Sequence, residues 1–558
     1  MSLLRYLFFF VLLLFFIPKT VFAVVDPVSF PNNKFGIHIA VADEQDLKDA
    51  AALVNANGGD WGYVTLVIQE NDRDIGKWQD IFNTMRKLHL IPIVRIASQQ
   101  QGSVWKRPSA DDAQGWADFL DSLNWVVENR YVVLYNEPNH AQEWGGEVLP
   151  EDYAHVAYTF AEMLKEKDSY FYVMLAGMDE AAPSSGPNYE DAGIFLSRVL
   201  ATKDSSSWSK VLDGISAHAY PNPGFIGSPD GWGKASVRGY QWLQDVFSQQ
   251  GVTKKMPVFI TETGWDQSKV GEDLAAQYLT QAYQNIWLPD ENVVAVTPFV
   301  LNYQSDPFLG FSWKKQETDS FYSIYSEVQK IKKLKGAPKQ KEKIEILSSL
   351  PTTFTADSKI GFALRIKNRG QSIIDAFDGY EIAVSQNNEG FEEVFSPIVS
   401  LEPGEETNIS VFIKTPKTTG YSKSRIILKK NDEHVSVIGS WNRRIVPKIN
   451  MVVFVKLLLG FTHEVGGYEV QVYDQREHVV FKRTDMHAVN GKIALKDIPN
   501  VIVGERYRVV VLRPYYLPRQ TFVQLKETGN EVRVKPMLPL DWNRDGKWSW
   551  GDFVWFIK

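Results

Sequence analysis

The sequence predicts an α/β fold of eight consecutive βα units, followed by a region of antiparallel β-structure. From Lys34 to Trp313, short runs rich in β-branched residues alternate with amphipathic helical stretches. After Lys343 the helical periodicity disappears, and apolar residues alternate along extended segments, as at Ile360, Phe362, Leu364 and Ile366. At 558 residues the chain is long enough for roughly two to four domains.

The N-terminal region contains eight predicted strands, each followed by a helical pattern. The strands cover residues 34–40, 63–68, 91–97, 131–135, 171–176, 214–219, 257–261 and 293–300. One of the helices carries an apolar stripe of Leu274, Tyr278 and Ala282. Eight βα units in about 310 residues indicate a (β/α)8 barrel, the TIM barrel, over residues 24–336. An open doubly wound sheet is the alternative, but no Gly-rich phosphate loop follows the first strand.

The C-terminal region divides into two predicted β-sandwiches and a short terminal module. The first sandwich, over 342–447, has an Ig-like pattern in which one strand ends at the turn residues Asn368-Arg369-Gly370. The second covers 448–537, with strands expected at 451–457, 468–473 and 507–512. Residues 538–558 form the terminal module.

Charge and composition exclude several classes of site. The formal net charge is −7, whereas proteins that bind nucleic acid carry basic surfaces, so we expect no nucleic-acid partner. The chain has no cysteine, which excludes disulfides, thiolate metal sites and a cysteine nucleophile. The 17 Trp residues suit both hydrophobic cores and stacking against sugar faces.

The N-terminus has the pattern of an export signal. Arg5 precedes the apolar run 6–17, and Val21-Phe22-Ala23 offers small residues at the positions that a signal peptidase reads. We therefore predict a signal peptide over 1–23 and a secreted or cell-surface protein. An uncleaved signal anchor is the alternative, although a span needs about 20 apolar residues and this run is shorter.

Two predicted strands run into glutamate, at the barrel rim where TIM barrels hold their reactive groups. Strand four leads into Asn136-Glu137-Pro138, and strand seven leads into Glu262. Glycoside hydrolysis by double displacement needs one carboxylic acid to protonate the leaving oxygen and one carboxylate to attack the anomeric carbon. We predict Glu137 as the acid/base and Glu262 as the nucleophile. A glutamate that only caps the following helix is the alternative.

These positions resemble clan A glycoside hydrolases, whose acid/base follows strand four in an Asn-Glu dipeptide and whose nucleophile follows strand seven. The resemblance covers about residues 34–313. It implies that Asn136 hydrogen-bonds the sugar 2-hydroxyl. It also implies that Tyr220, in the strand-six segment His218-Ala219-Tyr220, orients the nucleophile, so we place Asn136, His218 and Tyr220 among the substrate-binding residues.

Two features depart from the pattern of that family. Arg95 lies near the end of strand three, where a guanidinium would neutralise the nucleophile. The family often carries its arginine one strand earlier, so a structural ion pair is an equal alternative. Strand eight lacks the tryptophan common there, which leaves Trp313 or Tyr303 to form the floor of the catalytic subsite. The loop tryptophans expected to contact sugar are Trp265 and Trp313 and, with core packing as an equal alternative, Trp144 and Trp232.

The terminal module carries a calcium-loop pattern. Oxygen ligands fall at loop positions 1, 3, 5, 9 and 12, with Gly546 at position 6 and the Lys547 carbonyl at position 7. The side-chain ligands are Asp541, Asn543, Asp545, Ser549 and Asp552. The pattern resembles one half of a dockerin, which implies Ca²⁺ and a cohesin-like or cell-surface partner. A dockerin has two such loops, and a solvated acidic turn is the alternative.

Together these features predict an exported retaining glycoside hydrolase that acts on oligo- or polysaccharide. We expect a monomer that needs no cofactor for catalysis. The rival hypothesis is a non-catalytic cell-surface protein that only binds glycans or acts as a scaffold, because a fold does not imply its function. No sequence feature distinguishes the sugar, the linkage, or endo from exo action.

Overall fold

The computed structural model describes residues 24–385, 390–458 and 464–557. The predicted signal peptide over 1–23 lies outside the described residues. The chain divides into two units, the first ending at Lys341 and the second beginning at Glu342. Within the described part of the chain, no helix is both long enough and apolar enough to cross a bilayer.

The first unit is built on eight parallel strands, as the sequence predicted. They are β1 Gly36–His38, β2 Gly62–Gln69, β3 Leu90–Ala97, β4 Arg130–Leu134, β5 Phe171–Leu175, β6 Ile215–His218, β7 Val258–Glu262 and β8 Val293–Val296. The strands form one sheet in the order β1-β2-β3-β4-β5 and another in the order β8-β7-β6. The observed β8 is shorter than the predicted 293–300. The Thr297 N–H still donates to the Ile260 carbonyl at 2.8 Å, but Pro298 has no N–H with which to continue regular pairing.

Backbone contacts join the two sheets into a barrel-like arrangement. On one side, Phe35 and Val296 form a parallel bridge, and the Val296 N–H donates to the Lys34 carbonyl at 2.9 Å. On the other side, the Asp213 N–H donates to the Val173 carbonyl at 2.9 Å. The carboxyl ends of all eight strands therefore face one rim, as in a TIM barrel.

Helices follow the strands and pack their apolar faces on them. They are α1 Glu44–Val54, α2 Ile75–Lys87, α3 Ala113–Ser122, α4 Pro150–Lys167, α5 Ala192–Ala201, α6 Ser205–Val211, α7 Gly239–Gln249, α8 Gln267–Val270, α9 Glu272–Ala282 and α10 Ser323–Lys330. A π-helical turn, Tyr283–Trp287, extends α9. Several helices begin after an aspartate whose carboxylate accepts a first-turn N–H, which satisfies an otherwise unpaired donor: Asp43, Asp74, Asp191, Asp204 and Asp266.

The second unit begins with two four-stranded sheets. Its strands here are β9 Ile344–Ile346, β10 Thr353–Thr355, β11 Lys359–Asn368, β12 Tyr380–Val384, β13 Glu392–Phe395, β14 Glu406–Lys414, β15 Gly420–Lys430 and β16 Glu433–Val446. The sheet orders are β9-β11-β14-β13 and β10-β16-β15-β12. Residues from both sheets, including Leu364, Val411, Leu428 and Trp441, share one buried cluster. The two sheets thus share one apolar cluster, and the Ig-like sandwich with the boundaries 342–447 stays a prediction.

The remaining strands differ from the predicted second sandwich. They are β17 Ile449–Phe454, β18 Glu464–Tyr473, β19 Val479–Val489, β20 Lys492–Ile498, β21 Arg506–Arg513, β22 Tyr516–Gln524 and β23 Asn530–Arg533. They form one seven-stranded sheet, β22-β21-β18-β19-β20-β17-β23, rather than two. Residue alternation predicts which face is buried but not how many sheets share it, which is why the sequence pattern did not separate the two cases. The chain continues into helix α11, Trp550–Ile557.

Candidate active site

Three titratable side chains meet at the rim of the barrel. Glu262 is the last residue of β7, His218 is the last residue of β6, and Glu137 lies three residues after β4. One carboxylate oxygen of each glutamate and one imidazole nitrogen all lie within 4.8 Å of one another. The structure thus brings together the two glutamates that the sequence placed on separate strands.

Glu262 is buried and surrounded by donors and cations. The Tyr220 hydroxyl donates to Glu262 Oε2 at 3.0 Å, and Arg95 Nη1 contacts Glu262 Oε1. Burial raises the pKa of the Glu262 carboxyl, but the charges of His218 and Arg95 outweigh burial and lower this pKa to about 2. Glu262 is therefore a carboxylate at neutral pH, which is the state that a nucleophile needs.

Arg95 connects the two halves of the site. Its Nη1 donates to Asn136 Oδ1 at 2.7 Å and also contacts Glu262. The Asn136 side chain in turn hydrogen-bonds Glu143, a residue that the sequence reasoning missed. Burial, and then the charge of Glu137, raise the pKa of Glu143 to about 7. Arg95 thus holds both the nucleophile and the amide that the sequence assigned to the sugar 2-hydroxyl.

His218 lies between the two glutamates. Its Nδ1 is 2.7 Å from Glu137 Oε1 and 3.8 Å from Glu262 Oε2. Burial lowers the pKa of His218, but both carboxylates raise it, and the net shift is upward. The imidazole packs against Gly177, where a Cβ atom would lie 2.2 Å from His218 Cδ2. Only glycine at position 177 leaves room for the ring.

Glu137 is the more accessible of the two glutamates. Its side chain is 19% exposed, against 10% for that of Glu262. The Glu137 backbone has a φ of 33°, which is rare for a residue with a side chain, and its N–H donates to the Gly177 carbonyl at 3.1 Å. This backbone conformation sets the direction of the Glu137 side chain, which the sequence predicts as the acid/base.

A second histidine, His38 at the end of β1, was not found by the sequence reasoning. Its Nε2 lies 3.9 Å from Glu262 Oε1, and neither ring nitrogen has a hydrogen-bond partner. Burial, and then the charge of Arg95, lower the pKa of His38 to about 3, so the imidazole is neutral. A histidine at a strand end was the available signal, but the same signal occurs at many core positions.

A row of aromatic rings borders the site beside Tyr220. Ring centroids are 5.1 Å apart for Tyr220 and Phe225, 6.1 Å for Phe311 and Phe299, and 5.2 Å for Phe299 and Phe308. Phe311 also lies 6.0 Å from Tyr220. We call Tyr220, Phe225, Phe299, Phe308 and Phe311 the aromatic wall. Its outer member, Phe308, is exposed, so the wall runs from the nucleophile to solvent.

The predicted loop tryptophans occupy different environments from this wall. Trp265 and Trp313 are buried in the hydrophobic core of the first unit, and the Trp265 indole N–H donates to the Gly227 carbonyl at 2.8 Å. Trp144 is also buried and donates to Asp152 at 2.8 Å. Trp232 is 76% exposed, with the Arg238 guanidinium over its ring. In this structure Trp265 and Trp313 therefore present no ring face to a ligand.

The terminal loop is folded around its predicted ligands. Carboxylate oxygens of Asp541, Asp545 and Asp552 lie within 4.8 Å of one another. Asp552 accepts N–H groups from Asn543 at 3.2 Å and from Ser549 at 2.8 Å. Its burial raises the pKa of this carboxyl, but these backbone donors outweigh burial and lower the pKa. The hydrogen bonds of the loop itself therefore hold these acidic oxygen atoms close together.

Comparisons with known proteins find similar folds only. No family model matches the chain, and no curated protein matches it. An endo-β-1,4-glucanase of Xanthomonas axonopodis pv. citri is similar at 11% identity and a TM-score of 0.36, over 53% of this chain and 97% of that one. A glucosidase of Croceicoccus marinus is similar at 11% identity and a TM-score of 0.38, over 83% and 94%. A GH5_18 protein of Streptomyces cattleya, solved with GlcNAc, is similar at 12% identity and a TM-score of 0.39, over 59% and 84%. Likenesses of this size assign neither substrate nor mechanism to the chain.

Proposed function

We propose that the chain is an exported retaining glycosidase, with Glu137 as acid/base and Glu262 as nucleophile. The observation that carries the proposal is the approach of one carboxylate oxygen of Glu137, in the loop after β4, to within 4.8 Å of one carboxylate oxygen of Glu262, at the end of β7. Retaining glycosidases hold their carboxyl groups about 5–5.5 Å apart, whereas inverting enzymes need about 6.5–9.5 Å to admit a water molecule. The short separation favours direct attack by one carboxylate.

The different environments of the two glutamates support the assignment of roles. Glu262 contacts Arg95 and Tyr220 and is ionised at neutral pH, so it suits the nucleophile. Glu137 contacts neither and is the more accessible, so it suits the residue that meets the leaving group and then water. This is the reason for placing the acid/base at Glu137, independently of the Asn-Glu dipeptide.

The two steps of the reaction then follow from these positions. In the first, Glu137 gives its proton to the glycosidic oxygen as that bond breaks, while a Glu262 oxygen bonds to the anomeric carbon. In the second, Glu137 takes a proton from water, and the water oxygen displaces Glu262 to restore both carboxyl groups. Arg95 and Tyr220 hold Glu262 in place, and Asn136 is available to the 2-hydroxyl.

The aromatic wall supports a carbohydrate substrate. Its rings adjoin the nucleophile through Tyr220 and reach the surface at Phe308, and rings of this kind bind the apolar faces of sugars. We therefore assign the stacking surface to the less buried rings of this wall instead of to Trp265 and Trp313. These rings are Tyr220, Phe225, Phe299 and Phe308, whereas Phe311 is buried behind them. No metal is required at the three titratable groups, because the Arg95 guanidinium already neutralises Glu262.

Release of a chromophore from a panel of aryl glycosides tests the proposal and identifies the sugar. Wild-type protein should turn over at least one of them, and Glu262→Ala should abolish turnover. Glu291→Ala, which removes an exposed glutamate of the same unit, should retain full activity. If no glycoside is cleaved, while the protein binds oligosaccharides, the non-catalytic hypothesis is the correct one.

For the terminal module we propose a calcium site. The three close carboxylates of Asp541, Asp545 and Asp552 favour it, since Ca²⁺ takes about 6–8 oxygen ligands and the loop offers them at the expected positions. Calorimetric titration with Ca²⁺ should give one site per chain. The Asp541→Asn variant should bind more weakly, and an unchanged affinity would assign the ion to other residues.

A further inference from the structure

The terminal segment carries a dense group of exposed apolar side chains. Five of them lie within eight residues: Trp548 at 62% exposure, Trp550 at 84%, Phe553 at 47%, Val554 at 57% and Trp555 at 51%. Asp552, in the same segment, is only 1% exposed because its carboxylate turns into the loop. The Asp552 carboxylate is therefore buried, whereas the apolar side chains of the same segment are exposed.

Four of these side chains form one patch. Trp550, Phe553 and Val554 have the i, i+3, i+4 spacing that places residues on one face of helix α11. Phe553 lies 5.7 Å from Trp550 and 6.5 Å from Trp548, measured between ring centroids. Trp555 instead lies near Tyr515, with centroids 6.3 Å apart. We call Trp548, Trp550, Phe553 and Val554 the terminal apolar face.

The size of the terminal apolar face matches that of a protein interface. Large aromatic side chains offer about 150–250 Å² each, so the observed exposures leave roughly 500 Å² of apolar surface. This area is comparable with the largest exposed apolar patch on a typical monomer, which covers about 300–600 Å² and is often functional. Two copies of this face in contact would bury roughly 1,000 Å² in total, which is the lower limit for a specific interface.

We propose that the terminal apolar face binds the same face of a second copy of the chain, so that the protein forms a two-fold dimer instead of the monomer expected from the sequence. This inference is independent of the proposed glycosidase activity. A face that meets itself about a two-fold axis needs no second complementary surface. From Trp548 to Val554 the only ionisable side chain is the buried Asp552, so like charges do not oppose the contact.

Other occupants fit the chemistry less well. Binding to anionic lipid uses several basic side chains beside the apolar ones, but the chain carries a net charge of −7, and from Asp545 to Val554 the only basic residue is Lys547. Sugar-binding surfaces place polar groups for the hydroxyls beside the rings, as Glu262 lies beside the aromatic wall, whereas the four side chains of this face supply none. An apolar protein surface is the remaining match, and a second copy supplies one.

Sedimentation velocity of the whole chain in Ca²⁺, over a range of concentrations, tests the proposal. We expect a monomer–dimer equilibrium with a Kd of about 1–100 µM, as befits a small interface. Replacing two central residues, Trp550→Ser with Phe553→Ser, should weaken dimerisation by at least ~30-fold. The matched control is Phe377→Ser, which removes a 92% exposed ring from the sandwich and should leave the Kd unchanged. Far-UV circular dichroism verifies that each variant is folded.

Cross-linking gives a second, independent readout, because the chain has no cysteine of its own. A bismaleimide should join two chains of Lys547→Cys, whose exposed side chain adjoins Trp548 in sequence but lies outside the terminal apolar face, into a covalent dimer and should leave Phe377→Cys monomeric. A wild-type chain that stays monomeric at every concentration, equal cross-linking of both variants, or binding to phospholipid vesicles in place of self-association would each overturn the proposal.

Discussion

Replacing Arg95 by leucine should raise the pKa of the Glu262 carboxyl and shift the acidic limb of the pH–rate profile to higher pH. The Arg95 side chain is 12% exposed and that of Glu262 is 10% exposed, so water screens their contact little. An arginine at this range lowers a carboxyl pKa by about 1–3 units, which corresponds to about 1.4–4 kcal/mol. In Arg95→Leu the charge of His218 still lowers the pKa of Glu262, but without the guanidinium Glu262 should titrate above its wild-type pKa of about 2.

The assay is the hydrolysis of an aryl glycoside across the acid and neutral pH range. The nucleophile is active only when ionised, so the variant should lose activity on acidification earlier than wild type. At neutral pH Glu262 is ionised in both proteins, and the remaining loss, about 10²–10³-fold by analogy with removal of one preorganised donor, reports the lost anchoring of Asn136. Arg95→Lys is the matched control. It keeps the charge and should hold the acidic limb near that of wild type while lowering the neutral rate.

One result would refute this reasoning. If Arg95→Leu showed the wild-type acidic limb, the guanidinium would not control the ionisation of Glu262. Arg95 would then be the purely structural ion pair that the sequence left open.

Three further outcomes are expected. Glu137→Ala should retain activity on dinitrophenyl glycosides, whose leaving group needs no acid, and added azide should release a glycosyl azide of retained configuration. Glu262→Ala should be nearly inactive, and azide should give a glycosyl azide of inverted configuration. The opposite pattern would exchange the roles of the two glutamates. Glu180 is buried, and burial raises its pKa to about 8. Between its unfolded pKa of 4.5 and pH 8 the unfolded state binds fewer protons than the folded state, so the free energy of unfolding of wild type should fall by up to ~5 kcal/mol over that window. Glu180→Gln should therefore show a higher Tm than wild type at pH 8 but not at pH 4. Glu180 makes one backbone contact, in which it accepts the Ala235 N–H at 2.9 Å, and a glutamine oxygen can accept the same N–H. Chelation of Ca²⁺ should lower the Tm of the second unit and leave turnover unchanged, and loss of turnover with EDTA would contradict a purely local calcium site.

The order of the βα units and the place of the two glutamates could be read from the sequence. Hydrophobic runs of the right length predict strands, and the carboxyl ends of parallel strands necessarily share one rim. Glu137 and Glu262 were therefore expected to meet without knowledge of any distance. The calcium-loop spacing was readable for a similar reason, because its ligands, from Asp541 to Asp552, are close in the chain itself.

Only the tertiary structure decided which other side chains reach the site. Arg95 is 167 residues from Glu262 in sequence, and their contact joins β3 and β7, which lie in different sheets. His38 and Glu143 lie at the site because of tertiary packing, and no local pattern distinguishes them from residues with a purely structural role. Trp265 was expected to contact sugar but is buried, because a loop position does not predict how much of a ring the rest of the chain covers. Sequence patterns describe local periodicity, whereas burial, charge environment and the number of sheets depend on contacts between distant residues.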